Sequence, residues 1–223
     1  SLRHKVCLGS TQDITPGAVN WMVAGQGITH SERTGPDERT TGQSLYGIQT
    51  WVALPKTHEE VAPSFTHAAS ETLPVHEDKG MTLKVILGEA YGAQAPVPVY
   101  SDTLYVDAQL EPGVVLPLPT GHEDRALYVV EGQLELAEGT VEPGQLVVFK
   151  EGRHASVKAG PSGARVLLCG GEVADGPRYI SWNFVSSSKE RIREATAAWK
   201  TADWQNGPFK LPPHDNAEYI PLT

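Results

Sequence analysis

The feature that most limits the fold is the spacing of chain breakers. Among 223 residues, 22 glycines and 17 prolines cut the apolar sequence into runs mostly too short for helices. From residue 104 onward these runs recur at short intervals, over 104–110, 114–118, 126–130, 133–136, 146–149, 155–158 and 165–169. Between them stand Glu111-Pro112-Gly113, Glu131-Gly132, Glu142-Pro143-Gly144 and Glu151-Gly152, residue types that favour reversals. Short strands joined by tight turns describe an antiparallel sandwich or barrel. Upstream, 45–54 and 81–87 read as further strands, and the Gly-, Ala- and Pro-rich stretch 88–98 reads as a linker. The expected architecture is therefore all-β, with one antiparallel β-barrel over 1–95 and a second over 96–186. A tail over 187–223 carries the one convincing helix. There, Ser187-Ser188-Lys189-Glu190 reads as a capping box, and Ile192, Ala195, Ala198 and Trp199 share one face.

Charge and composition exclude several partners. A net charge of -9 and a pI near 5.3 oppose binding to nucleic acid, which needs a clustered basic surface. The chain holds no apolar stretch of the ~18 residues that span a bilayer and opens on no apolar leader core, so neither a membrane nor export is expected. Cytoplasm is the expected compartment, with the nucleus added for a eukaryotic source, and the expected state is a monomer. Cys7 and Cys169 stand alone and far apart, which predicts buried free thiols rather than a disulfide or a zinc knuckle.

Chemistry concentrates in Trp21-Met22-Val23-Ala24-Gly25-Gln26-Gly27-Ile28-Thr29-His30-Ser31-Glu32. Gly25 and Gly27 predict a forced backbone turn, because glycine is costly in ordered structure unless its freedom is used. If 29–31 are extended, the period of two puts His30 and Glu32 on one face. A nitrogen and an oxygen donor side by side suit a divalent first-row metal better than calcium or magnesium. Two donors do not make a site, so further ligands must come from elsewhere. The simpler reading is a hydrogen-bonded surface pair.

The second half carries His122 ahead of Ala126-Leu127-Tyr128-Val129-Val130-Glu131-Gly132, and His154 after Glu151-Gly152-Arg153. This layout resembles the two motifs of the cupin superfamily, in which histidines and a glutamate meet inside a β-barrel. Arg125 falls where that resemblance expects the glutamate, and a guanidinium repels a metal ion. The second barrel is therefore expected to be metal-free, with His122 and His154 as polar interior or rim residues.

Over nearly its whole length the chain resembles the pirin family. The residues that carry this are Ile14-Thr15-Pro16-Gly17, Asn20-Trp21-Met22, the 24–32 segment, Leu45-Tyr46-Gly47-Ile48-Gln49-Thr50-Trp51-Val52-Ala53-Leu54-Pro55, and Asn183-Phe184-Val185. The resemblance implies a bicupin whose first barrel holds one non-haem iron, Fe(II)/Fe(III), through three histidines and a glutamate. Other divalent transition metals remain open as the native ion. His30 matches the third histidine ligand and Glu32 the glutamate. The other two histidines are expected upstream of Ser1, so the first barrel is expected to be incomplete at its start and the metal absent or poorly held in this chain. His4 matches a position after that motif and reads as a strand histidine rather than a ligand.

The activity the resemblance implies is cleavage of a flavonol-like aromatic by O2, as in quercetin 2,3-dioxygenases. Glu32 is then the catalytic residue, as a ligand or as acceptor of the 3-hydroxyl proton, with Trp21, Met22, Gln49 and Trp51 as pocket neighbours. Other pirins imply an alternative, an iron-dependent redox-sensing module that binds a transcription factor or a metabolic enzyme. A third reading is an iron-binding cupin with an unrelated small substrate.

Overall fold

The computed structural model describes residues 2–42, 45–150 and 154–222. Two compact units emerge, Ser1–Ser70 with Ala174–Thr223, and Glu71–Val173. The expected all-β character holds in both, and the one long helix belongs to the first.

The second unit is built on a nine-stranded antiparallel sheet. Its path runs Gly139–Val141, Asp124–Leu136, Ser156–Gly171, Thr103–Leu110, Met81–Ala90 and Val75–Asp78. Val115–Pro117 joins Ser156–Gly171, Leu146–Phe149 joins Asp124–Leu136, and Ala93–Gln94 joins Met81–Ala90. Alternate residues of these strands fill a single core: Leu83, Val85, Leu104, Val106, Leu127, Val129, Val166 and Leu168 are buried. Each such side chain contributes about 1.5–3 kcal/mol, which is why the pattern rather than any one residue fixes the faces.

Here the structure corrects several expectations. Glu131-Gly132 is not a turn: runs 126–130 and 133–136 form one strand, Asp124–Leu136, whose register shifts on both sides of these residues. Runs 155–158 and 165–169 likewise merge into Ser156–Gly171. A bulge gives the extra residue a place without ending the ladder, so a glycine in a strand does not always mark a reversal. Glu111-Pro112-Gly113 and Glu142-Pro143-Gly144 do reverse the chain, with Val114 N–H donating to Glu111 O and Gln145 N–H to Glu142 O. The Glu151-Gly152 turn lies outside the described residues.

The stretch 88–98 lies inside the second unit instead of between units. Gly88 sits within Met81–Ala90 at φ +71, and a Cβ there would lie 1.5 Å from the carbonyl oxygen of Thr103. Glycine at this point serves close backbone approach, not flexibility.

The first unit holds smaller sheets. Thr11–Ile14, Leu2–Val6 and His30–Thr34 form one, in that order, while Val19–Val23 pairs with Ser64–Ala68 and Tyr179–Ser181 with Phe184–Ser186. A short helix, Pro36–Thr41, follows the first of these. The long helix is Lys189–Thr201, with Ile192, Ala195 and Trp199 buried as expected. Its cap is Ser188, whose side chain accepts from Arg191 N–H. That places the helix start one residue later than a box closed by Glu190 requires, and Glu190 pairs with Arg193 instead. Trp199 and Phe209 anchor an aromatic cluster with Trp182, Phe184 and Trp204.

Residues 45–54 form no strand. Leu45, Tyr46, Ile48, Trp51 and Val52 are exposed, and no ladder partner for them exists among the described residues. An apolar run with β propensity stays irregular where no strand lies alongside to form a ladder with it. Cys7 and Cys169 are free and half-buried, less enclosed than expected. Among the described residues no helix is long and apolar enough to cross a membrane.

Candidate metal centre

Register creates the centre. Leu2–Val6 runs antiparallel to His30–Thr34 with His4 opposite Glu32 and Val6 opposite His30. Because side chains alternate across a strand, His4, His30 and Glu32 share one face, and Arg3, Lys5, Ser31 and Arg33 share the other. One donor atom from each of His4, His30 and Glu32 lies within 4.8 Å of the others. His4 Nε2 is 3.1 Å from His30 Nδ1, and His4 Nδ1 is 3.9 Å from Glu32 Oε1. His4 is buried, whereas His30 and Glu32 reach solvent.

Electrostatics disfavour a second proton on both imidazoles. Burial lowers the pKa of His4, the neighbouring His30 lowers it further, and the Glu32 carboxylate opposes both. For His30 burial again lowers and Glu32 raises, with a net fall. Neutral rings carry the lone pairs that a metal requires.

The turn that delivers His30 is forced, as expected. Gly25 has φ +49, and a Cβ there would lie 2.0 Å from Val61 O, the same carbonyl that accepts from Gln26 N–H. Beyond it, buried Thr29 donates its hydroxyl to Lys210 O. On the outer face Ser31 Oγ donates to Asp215 Oδ2 at 2.5 Å, and Arg33 grips Asp215 through two nitrogens at 2.8 and 3.1 Å and Glu218 at 2.7 Å. The Arg33 and Ser31 donors hold the Asp215 carboxyl down to about 2.

A second pair of strands backs the centre. Asn20 stands opposite His67, and Met22 opposite Phe65. Asn20 Nδ2 lies 3.4 Å from His4 Nδ1, and its Oδ1 lies 2.8 Å from His67 Nδ1. Phe65 meets His4 edge-on, with centroids 5.1 Å apart.

The structure therefore unites His30 and Glu32 as the H-x-E spacing predicts, and it adds His4, which the sequence reading set aside. Phe65 and His67 were also missed, since nothing local marks them, and Asn20 entered only as part of the Asn20-Trp21-Met22 resemblance, not as a neighbour of the centre. Met22 shares the Asn20 face, Trp21 takes the reverse face, and Gln49 and Trp51 lie in the exposed 45–54 segment. In the other unit Arg125 is buried and donates to the carbonyls of Pro119 and Lys150. His122 pairs with Asp102, and His154 is exposed.

The donor set fits a first-row divalent metal. Two nitrogens each about 2.0–2.1 Å from one ion at tetrahedral or octahedral angles stand roughly 2.8–3.4 Å apart, and His4 Nε2 and His30 Nδ1 fall within that span at 3.1 Å. A carboxylate completes a two-imidazole, one-oxygen triad of the kind that leaves further positions open.

Comparison with known proteins agrees with this geometry. Residues 1–52 match the family model described as Pirin, and 105–209 match the Pirin C-terminal cupin domain. A Pirin-like protein of Caulobacter vibrioides is 46% identical over 99% of this chain and 74% of its own length. A Pseudomonas aeruginosa protein named "Putative quercetin 2,3-dioxygenase" is 36% identical over 92% of this chain, which spans 63% of that relative. A crystal structure of quercetin 2,3-dioxygenase from Acinetobacter baumannii superposes with a TM-score of 0.83 at 27% identity, covering all of this chain and 72% of that one. With both family models matched and a relative 46% identical over most of its length, the chain belongs to the pirin family of cupin proteins.

Proposed function

We propose that the chain holds iron through His4, His30 and Glu32 and uses it to cleave a flavonol-like aromatic substrate with O2, as a quercetin 2,3-dioxygenase does. The observation that carries this reading is the triad itself, two imidazoles and a carboxylate converging within 4.8 Å. Its support in kind comes from the relatives named for that activity. Bound iron supplies electron exchange with O2 and open positions for an oxygen-donor substrate. Glu32, exposed and carrying two oxygens, keeps one for ligation and offers the other to the substrate's hydroxyl proton. His4 contributes a lone pair from the buried side, where Phe65 packs edge-on against its ring. Loading the chain with Fe(II) without oxygen, then measuring O2 uptake with quercetin, tests the reading. Uptake by wild type and joint loss of iron and uptake in His30→Ala are expected; iron-loaded wild type that consumes no O2 with quercetin overturns it.

One observation favours a second reading, a metal-responsive module that binds a protein partner. Leu45, Tyr46, Ile48, Trp51 and Val52 expose apolar side chains in the same unit as the triad. Iron binding without O2 uptake in the same experiment favours this reading over the oxygenase.

A further inference from the structure

The strands that carry His4, His30 and Glu32 gather positive charge on their reverse face, in a chain whose net charge is -9. Register puts Arg3 directly opposite Arg33, with Lys5 opposite Ser31 on the same side. Like charges in facing positions destabilise a sheet unless something compensates them. Three carboxylates do so in part: Asp13 takes Arg3 at 2.7 and 2.9 Å, while Asp215 and Glu218 take Arg33. Lys5 and Arg39 stand outside these pairs. Lys5 Nζ donates to His214 O at 3.2 Å and Arg39 Nε to Thr34 O at 3.0 Å, and neither forms an ion pair among the described residues.

All of these cations border one open pocket of about 400 Å³. Arg3, Lys5, Arg33 and Arg39, four of the chain's 18 lysines and arginines, line it together with Asp215 and Glu218. Docking of the 214–218 segment accounts for Arg33 and Asp215, but it leaves Lys5 and Arg39 without a carboxylate. A carbonyl bears no net charge, so it occupies a donor without cancelling the cation. An ammonium has three donors and a guanidinium five, and most of those on Lys5 and Arg39 remain for a ligand.

We propose that this pocket binds a small organic oxyanion, a carboxylate or phosphate head on a hydroxylated carbon chain. Guanidinium forks match the paired oxygens of either head group, and Lys5 adds a point charge. The volume suits an organic molecule rather than a bare ion, since small-molecule sites run from about 300 to 1,000 Å³. Asp215 and Glu218 accept hydrogen bonds and repel negative charge, so the rest of the ligand is neutral and offers hydroxyl donors. The pocket lies on the face opposite the three metal donors, and the proposal does not depend on metal binding.

The test titrates the 15N-labelled full chain with ribose 5-phosphate and with gluconate at constant ionic strength, reading backbone amide shifts. Saturable shifts centred on residues 3–5, 33–35, 39 and 214–218 are expected with at least one of the two, and the tighter ligand identifies the head group. Lys5→Gln and Arg39→Gln should each weaken it by ~10-fold or more, the usual loss for a hydrogen bond to a charged group. Arg39 is exposed, so its replacement leaves the fold intact, which a thermal melt checks. Lys79→Gln, an exposed change in the other unit, should leave the affinity unchanged. Shifts that fail to saturate with either ligand, or that centre elsewhere on the chain, overturn the proposal. Full affinity in the Lys5→Gln, Arg39→Gln double variant overturns it as well.

Discussion

His4 stands directly opposite Glu32 in an antiparallel register, so a buried imidazole and an exposed carboxylate project from neighbouring strands onto one face. This pairing turns a two-residue motif into a three-donor cluster. It makes His4 a candidate third donor.

His4→Ala should therefore weaken Co(II) binding by more than the ~10–100-fold expected for loss of an outer partner. Titration followed by the visible Co(II) spectrum measures this. Unchanged affinity would return His4 to a purely structural role.

Asp215 should make stability depend on acid pH. Its folded pKa, about 2, lies below the ordinary 3.8, because Arg33 and Ser31 donate to the charged carboxylate. The unfolded chain takes up the proton first as pH falls, so this contribution is full above 3.8 and disappears as pH drops toward 2. Urea unfolding of wild type and Asp215→Asn should differ at neutral pH and converge across that window.

Gly88→Ala should destabilise the chain by more than about 1 kcal/mol, since the new methyl group must displace backbone at a positive φ. Chemical denaturation reads the loss. A neutral result would mean that 88–98 behaves as the flexible linker its composition suggests.

Ser188→Ala should cost about 1 kcal/mol by leaving the Arg191 N–H without its capping acceptor. Ser187→Ala should leave that N–H capped, because Ser187 Oγ donates to Glu59 instead. Thermal melts of the two variants, compared through helical circular dichroism, separate the Ser188 cap from a box starting at Ser187.

The sequence alone determined the all-β class, the Lys189–Thr201 helix with its buried face, and the partnership of His30 with Glu32. These follow from local rules: breaker spacing limits element length, and side-chain period assigns faces. Local rules could not distinguish a glycine bulge from a turn at Gly132, nor give 45–54 a partner that would make it a strand. The centre's remaining members were decided only by tertiary structure. His4 meets Glu32 because of strand register, Asn20 and His67 arrive on a separate pair of strands, and Asp215 grips Ser31 across 184 residues of sequence. Register and long-range docking arise from the sum of many weak contacts over a whole face, so no single residue announces them in the chain.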